Sequence, residues 1–365
     1  IIWNYRLFRS DHGHLLVDCC HSSGRRALKL KSTLKIGIAY DVKEDYKLEA
    51  EDWKYSDFST LAEIQYAKGL FEARGHTVVL LGNYEKIYQA LKNDRLPDVD
   101  IVFNTAEGIG SRNREGWIPS LLEMNGIPFS GSVAFALSLS LSKFHTKLVA
   151  EYLNIPTPEF CEIKDANDIE QVLQIPRPWI IKPNYEGSSS GVFYSDDFRL
   201  LTEQAVHLLK EYHQSLICEH YIAGREANVS ILYDGEKTKV LGAVEVIRKN
   251  GSPLHIFSAR DKFSGTCTKI NACFPQDTLD LMYKSAVKLH RHLGCKDYNR
   301  ADFRIDADGR PYFLELNPAP GVSEDDSFTL CCKCHGFDPS WVLEQIVYNA
   351  IERVASQEFI HKNED

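Results

Sequence analysis

Tyr298-Asn-Arg-Ala-Asp-Phe-Arg-Ile-Asp306, the Asp308-Gly309 pair and the return arm Tyr312-Phe-Leu-Glu-Leu-Asn317 decide how this chain is read. Both arms alternate polar and apolar residues, the period of a half-buried strand. Asp-Gly supplies a tight turn between them. Folding back around Asp308 sets Asp302 roughly opposite residues 314–315. Side chains two apart share a face, so Asp302, Glu315 and Asn317 are expected to converge, with Phe303, Ile305, Leu314 and Leu316 packed behind them. Two carboxylates and an amide oxygen on a rigid sheet suit a hard cation, such as Mg²⁺ that keeps waters and a substrate phosphate. An ordinary hairpin with a solvated polar face has the same pattern, so the rest of the chain must discriminate.

At 365 residues the chain is long for one core, and two or three domains are expected. With 44% apolar and 25% charged residues it has the composition of a soluble globular protein. A net charge of −9 argues against nucleic-acid binding through a general basic surface. No apolar run reaches the ~18–20 residues that span a membrane; the best, Val133 to Leu141, is short and interrupted by serines. Most of the ten cysteines stand alone in apolar contexts, as Cys161, Cys218 and Cys295 do, which favours reduced core thiols in a cytoplasmic protein. The run Cys331-Cys332-Lys-Cys334-His335 has metal-binding residue types but no second cluster at zinc-site spacing. Residues 1–33 lack convincing periodicity and any signal-peptide layout, and read as a poorly ordered extension rather than a domain.

Leu34–Tyr40, Gly75–Leu81 and Asp98–Asn104 read as buried strands, with a helix capped by Ser59 and running to about Ala73 between the first two. Strands alternating with helices imply a parallel sheet, whose ligands gather beyond the strands' carboxyl ends. Asn104-Thr-Ala-Glu-Gly-Ile-Gly110 lies at such an end, followed by Arg112, Arg114 and Glu115. After a helix around Lys143–Leu153, Pro156 and Pro158 force an extended linker. The strand Trp179–Lys182 then leads through Glu186 to Gly187-Ser-Ser-Ser-Gly191, a loop whose N–H groups and hydroxyls can approach phosphate oxygens. Its glycine spacing is not that of a Walker loop, and its lysine precedes it on a strand. Strands at 217–222, 226–232 and 239–247 follow, making the C-terminal half an antiparallel sheet rich in hairpins, with helices at about 278–293 and 339–355.

In this order, Lys143, Lys182 with Glu186–Gly191, Glu219 with Glu226, and Arg300-Ala-Asp302 with Glu315-Leu-Asn317-Pro resemble the ATP-grasp superfamily, and within it the D-alanine–D-alanine ligase family. The similarity covers about residues 35–355. It implies an α/β and α+β architecture, an ATP-grasp fold behind an N-terminal parallel-sheet domain. The implied units are 34–130, a central ATP-grasp subdomain 131–215, a C-terminal subdomain 216–356 with the metal site, and a polar tail 357–365. The implied chemistry is ADP-forming ligation: ATP activates a carboxylate as an acyl phosphate, and an amine attacks it. By position, Lys143 and Lys182 would contact the phosphates, with Glu186 and Ser188 in the loop that covers them. Glu219, Tyr221 and Ile222 would frame the adenine, and Glu226 would bind ribose. Asp302, Glu315 and Asn317 would hold one or two Mg²⁺ ions, with Mn²⁺ as a substitute. Arg300 would face the phosphoryl acceptor, and Lys262 resembles a lysine on a mobile flap, here the polar, glycine-containing segment 258–266. Partners would be a small-molecule carboxylate and amine, with no nucleic acid and no membrane; such ligases are often homodimers.

Several positions depart from that family. Its glycine-rich loop after the first strand, with a glutamate that contacts the first D-alanine, is replaced by the longer Tyr40–Tyr46. Its His-Gly after the third strand is Glu107-Gly108, and its flap tyrosine is Phe263. Where it offers hydroxyl and backbone donors to the second D-alanine's carboxylate, this chain reads Gly321-Val-Ser-Glu-Asp-Asp-Ser327. Glu324, Asp325 and Asp326 would repel such an anion, and with Glu107 and Glu115 would favour a cationic or polyamine-like amine. A solvated loop or helix start explains the same acids. The expectation is an ATP-dependent carboxylate–amine ligase whose acceptor is not D-alanine. A genuine D-alanine–D-alanine ligase of cell-wall synthesis and a non-catalytic ATP-binding regulator are the alternatives.

Overall fold

A computed structural model of the chain describes residues 5–9, 15–19, 26–29, 33–46, 58–233, 238–250 and 266–361. Within the first 33 residues, β1 (Tyr5–Arg9), β2 (Leu15–Cys19) and β3 (Arg26–Lys29) pair antiparallel as a sheet of their own. The expected parallel sheet follows, with β4 (Lys35–Ala39) between β5 (Thr77–Gly82) and β6 (Ile101–Asn104). Covering both faces of a parallel sheet explains its unbroken apolar runs: Ile36, Ile38, Ile101, Val102 and Phe103 are fully buried. The intervening helix, Leu61–Ala73, starts one residue later than the sequence suggests. Thr60 caps it by accepting from the Glu63 amide while the Glu63 carboxylate accepts from the Thr60 amide. Because the first strand is central, a crevice opens beyond the carboxyl ends of β4 and β6, where the loops 40–46 and 105–116 begin.

β7 (Phe160–Ile163), β8 (Trp179–Pro183), β9 (Phe193–Ser195) and β10 (Leu216–His220) form an antiparallel sheet in the order β7-β10-β8-β9. Helix Phe198–Tyr212 packs Leu201, Ala205 and Leu208 against it. β10 pairs on both sides here, Cys218 standing between Cys161 and Ile181. The central unit therefore takes in residues 216–220, and the boundary expected at 215/216 moves past His220.

β11 (Arg225–Tyr233), β12 (Thr238–Arg248), β13 (Cys267–Asn271), β14 (Tyr298–Ile305) and β15 (Pro311–Asn317) make the second antiparallel sheet, ordered β13-β12-β11-β14-β15. Helix Gln276–His292 and Ala150 of helix Lys143–Tyr152 share a core with Ala301, Phe303, Phe313 and Leu316. The last helix, Pro339–His361, reaches back: Val342, Ile346 and Val347 join Ile36, Ile38, Phe71 and Phe103 of the parallel sheet in one cluster. Cys331 and Cys332 are buried in that cluster, Cys334 is exposed, and the His335 ring lies against the Ala243 backbone, Nε2 3.1 Å from its carbonyl oxygen. The cysteine–histidine run thus serves packing, and no cluster of three His, Cys, Asp or Glu placed to hold a metal occurs among the described residues. Among them, no helix is long and apolar enough to cross a membrane.

His290 provides a test of this packing. It is 1% exposed against Tyr233, and its ring nitrogens have no hydrogen-bond partner among the described residues. Burial, with Lys296 and Arg291 adding to it, lowers its pKa from 6.5 to about 4. As pH falls through 6.5 the unfolded chain takes up this proton first, so stability is lost between 6.5 and about 4, by about 3 kcal/mol in all. Urea denaturation near neutrality and again at about pH 4.5 should show that His290→Phe removes about 2–3 kcal/mol of the acid destabilisation.

Candidate active site

The β14–β15 hairpin has the register its alternation predicts, with Asp302 opposite Glu315 and Arg300 opposite Asn317. A bulge follows Asp302, so that Phe303 pairs with Phe313. Leu314 is then the extra residue. It turns onto the cavity face, and Phe313 takes the core position expected for it. The turn is held by Asp306, whose Oδ1 accepts from the Asp308 and Arg310 amides.

β11 extends the polar face. Glu226, Asn228 and Ser230 stand opposite Arg304, Asp302 and Arg300, one per two residues as strand geometry requires. Arg300 forks onto Asp302 at 2.8 and 2.9 Å, while the Asn228 and Asn317 amides donate to the same carboxylate at 2.7 and 3.2 Å. Burial disfavours the Arg300 charge, but Asp302, with Asp326 and Glu315 adding, holds its pKa above the usual arginine range. Asn228 is itself fixed by Ser327 Oγ at 2.8 Å. One Glu315 oxygen is 3.3 Å from Lys143 Nζ.

A cavity between the two antiparallel sheets collects the upstream residues. Lys182 Nζ lies 2.6 Å from Glu219 Oε2, and Lys147 Nζ 2.5 Å from Glu219 Oε1. Burial opposes ionisation of Glu219, yet the two lysines overcome it and keep the carboxyl below its ordinary range. Lys147, with no exposure at all, is lowered to about 8 by burial despite Glu219; Lys182 ends above its ordinary value because Glu219 and Glu315 outweigh the same penalty. The Glu219 side chain is therefore engaged by both lysines where it lines the cavity with Tyr221, Ile222 and Glu226. At the far end, Arg304 donates to Ile222 O at 3.0 Å and Tyr221 Oη at 3.1 Å and approaches Glu226 at 3.4 Å, fixing the wall where adenosine was expected. Lys143 Nζ donates to Glu186 O, and the Glu186 carboxylate accepts from Gln214 Nε2 at 2.6 Å. Beyond Glu186 the loop is tightly folded, with left-handed backbone at Ser188 and Ser189.

A wider cleft of about 660 Å³ adjoins this cavity and contains Ser188, Arg300 and Asn317. Of the expected acceptor-side acids, Glu107, Glu115, Asp325 and Asp326 line it. Glu324 does not: its side chain is 73% exposed, 3.9 Å from Lys333, because the turn into helix Ser327–Cys334 points it outward. Lys262, Phe263 and residues 258–265 of the expected flap 258–266 lie outside the described residues. Lys147, Asn228 and Arg304 were not singled out in the sequence. Lys147 is four residues, one helical turn, from Lys143; the other two lie at strand period from Glu226 and Asp302, so periodicity held the signal.

Residues 148–348 match the family described as D-ala D-ala ligase C-terminus. The chain belongs to the D-alanine–D-alanine ligase family. It is an ATP-grasp ligase, ADP-forming and making a C–N bond. The D-alanine–D-alanine ligase of Methylacidiphilum infernorum is 32% identical over 240 residues, 65% of this chain and 75% of that protein. The fold is shared with the D-alanine–D-alanine ligase of Bacillus anthracis complexed with ATP, with a TM-score of 0.68, 19% identity and coverage of 89% and 99%. It is also shared with the VanG D-Ala:D-Ser ligase of Enterococcus faecalis, with a TM-score of 0.68, 17% identity and coverage of 87% and 99%.

The buried trio has two cations for one anion. Glu219→Leu removes the one carboxylate that both buried ammonium groups contact, leaving them the more distant Glu315, and should lower unfolding stability by about 3–5 kcal/mol. Lys147→Met leaves a neutral Lys182–Glu219 pair and should lose only about 1–3 kcal/mol, from the donors withdrawn from Thr157 and Phe313 O. Chemical denaturation of both variants checks the order; equal losses would contradict the charge arithmetic.

Proposed function

We propose that this ligase activates the carboxylate of an amino acid or small acid with ATP and transfers the acyl group to an amine other than D-alanine, of cationic or polyamine-like type. A donor carboxylate oxygen attacks the γ-phosphorus, ADP leaves, and the amine then displaces phosphate from the acyl carbon. Charge disperses over the transferring phosphoryl oxygens, so the step needs positioning and cations rather than a reactive side chain. Lys143 and Lys182 hold phosphate oxygens, with Glu186 and Ser188 in the covering loop. Arg300 faces the acyl phosphate and the tetrahedral oxyanion with its planar fork. Lys262, which resembles the family's flap lysine, would add a further cation for the γ-phosphate. Tyr221, Ile222 and Glu226 receive adenosine.

Asp302, Glu315 and Asn317 would hold one or two Mg²⁺ ions, which supply charge neutralisation on the phosphates. Their chemistry fits: two carboxylates in register, one amide, and a second lone pair on each carboxylate oxygen beyond the hydrogen bonds already made. As working units we infer residues 34–130, a central unit running through His220, and a C-terminal unit to 356.

One observation carries the acceptor assignment. Asp326 Oδ2 accepts from the Ser323 amide at 3.2 Å and hydroxyl at 3.0 Å, inside the loop expected to receive an acceptor carboxylate. A Cβ on Gly321 would lie 2.6 Å from that oxygen, so the loop is already filled by a carboxylate of its own. A second reading, D-alanine as acceptor, is favoured by the relatives named D-alanine–D-alanine ligase.

ADP release and product mass, measured with ATP, Mg²⁺ and a panel of amino acids and amines, distinguish the two. Turnover is expected with diamine-type acceptors and not with D-alanine. D-Ala–D-Ala formation at ~1–10³ s⁻¹ would overturn the acceptor assignment. Asp326→Ser frees the loop donors and should raise turnover with acceptors that bear a carboxylate by about tenfold or more.

A further inference from the structure

Arg114, in the short turn of helix Arg114–Gly116 that follows β6, is 8% exposed and reaches out of the parallel-sheet unit. Its Nη1 donates to Tyr185 O at 2.9 Å, and its Nη2 lies 3.7 Å from Glu186 Oε2. Gln214, just past helix Phe198–Tyr212, grips the same dipeptide from the other side: its Oε1 accepts from the Tyr185 amide at 2.7 Å and its Nε2 donates to Glu186 at 2.6 Å. Lys143 takes the Glu186 carbonyl. Tyr185–Glu186 thus has its amide, both carbonyls and its carboxylate engaged immediately before the Gly187–Gly191 loop.

Gln214 belongs to the central unit, and Lys143 to the helix packed on the second antiparallel sheet. Arg114 brings in the crevice beyond β4 and β6. Its backbone is fixed there by Gly108, where an added Cβ would meet Arg114 O at 2.7 Å. The Gly108 amide donates to Asp41, buried at the end of β4, at 2.8 Å. The loop that carries Glu107 and Glu115 into the wider cleft is therefore anchored through Arg114 to the strand end that launches the phosphate-covering loop.

We propose that Arg114 is a positioning residue that couples the parallel-sheet unit to nucleotide binding, acting through Tyr185 and Glu186 to set the phosphate-covering loop. The inference rests on the reading of 187–191 as that loop. By linkage, a substrate that orders the 105–116 loop would tighten nucleotide binding, and nucleotide would tighten that substrate by the same factor. A fork is needed to span a carbonyl and a carboxylate, so lysine replaces it only in part.

The test uses ADP and Mg²⁺ with the full chain, with affinity measured by titration calorimetry. Wild type must bind ADP; failure to bind would overturn the loop reading itself, independently of Arg114. Given binding, Arg114→Met should weaken it by about tenfold or more, with Arg114→Lys intermediate and the exposed neighbour Arg112→Met unchanged. In a Glu186→Gln background the further loss from Arg114→Met should shrink to a small fraction, since both act on one strand end. Wild-type affinity in Arg114→Met, or losses that add fully in the double variant, would overturn the proposal. If Arg114→Met does not fold, the same cycle run with Arg114→Lys decides by the same criterion.

Discussion

Glu219 is the residue on which the rest of the site depends. It sits on β10, and its two oxygens hold Lys182 from β8 and Lys147 from helix Lys143–Tyr152. Lys147 continues to Thr157 Oγ1 and to the carbonyl of Phe313 on β15. One buried carboxylate therefore ties the four-stranded sheet, the helix that starts with Lys143 and the edge of the five-stranded sheet. At an effective dielectric near 20 each close lysine–carboxylate attraction is worth about 4 kcal/mol, against strong desolvation of all three groups. Such a trio persists because both lysines share the one carboxylate while Lys147 also donates to Thr157 and Phe313 O, and it fixes the separation of the two sheets between which the cavity lies.

The hairpin was legible because alternation with a turn dipeptide determines register. Asp302 faces Glu315 as the period of two requires. Leu314 was misplaced for the same reason: a bulge adds one residue and inverts the alternation beyond it, and nothing in Tyr312-Phe-Leu-Glu-Leu-Asn317 announces that. Thr60 replaced Ser59 as the cap because Glu63 stands three residues after Thr60 and closes the capping box. The central unit's boundary was misjudged since an apolar strand such as Leu216–His220 fits either sheet, and only its partners assign it. What period and motif could not show is the partner each residue reaches across the sequence, Tyr185 for Arg114 or Ile222 for Arg304.

Charge explains why the cavity needs more than its own side chains. Lys143, Lys147 and Lys182 with Arg300, Arg304 and Arg114 face Glu186, Glu219, Glu226, Asp302 and Glu315, many of them paired within 4 Å. The set is therefore close to neutral before any nucleotide enters. A triphosphate adds several negative charges, and the paired lysines and arginines cannot neutralise it without leaving their own carboxylates exposed. Two carboxylates that could take a hard cation would resolve this: an ion held by Asp302 and Glu315 would neutralise phosphate charge and would leave Lys143 and Arg300 for phosphate and acyl oxygens.

The same reasoning extends past Asn317. Arg300 is the guanidinium nearest the wider cleft that already carries charge from Asp302, Asp326 and Glu315. Where an acceptor carboxylate would have to compete with Asp326 for Ser323 and for the field of Arg300, an acceptor without one meets no competitor. A cationic amine would instead gain from Glu107, Glu115 and Asp325 along the same wall. It would have to lose a proton before attack, and with Arg300 facing the acyl phosphate as proposed, the guanidinium would favour the neutral, nucleophilic form. On the proposed reading, an acidic rim for capture and a cation at the reacting end would serve successive stages of the same transfer.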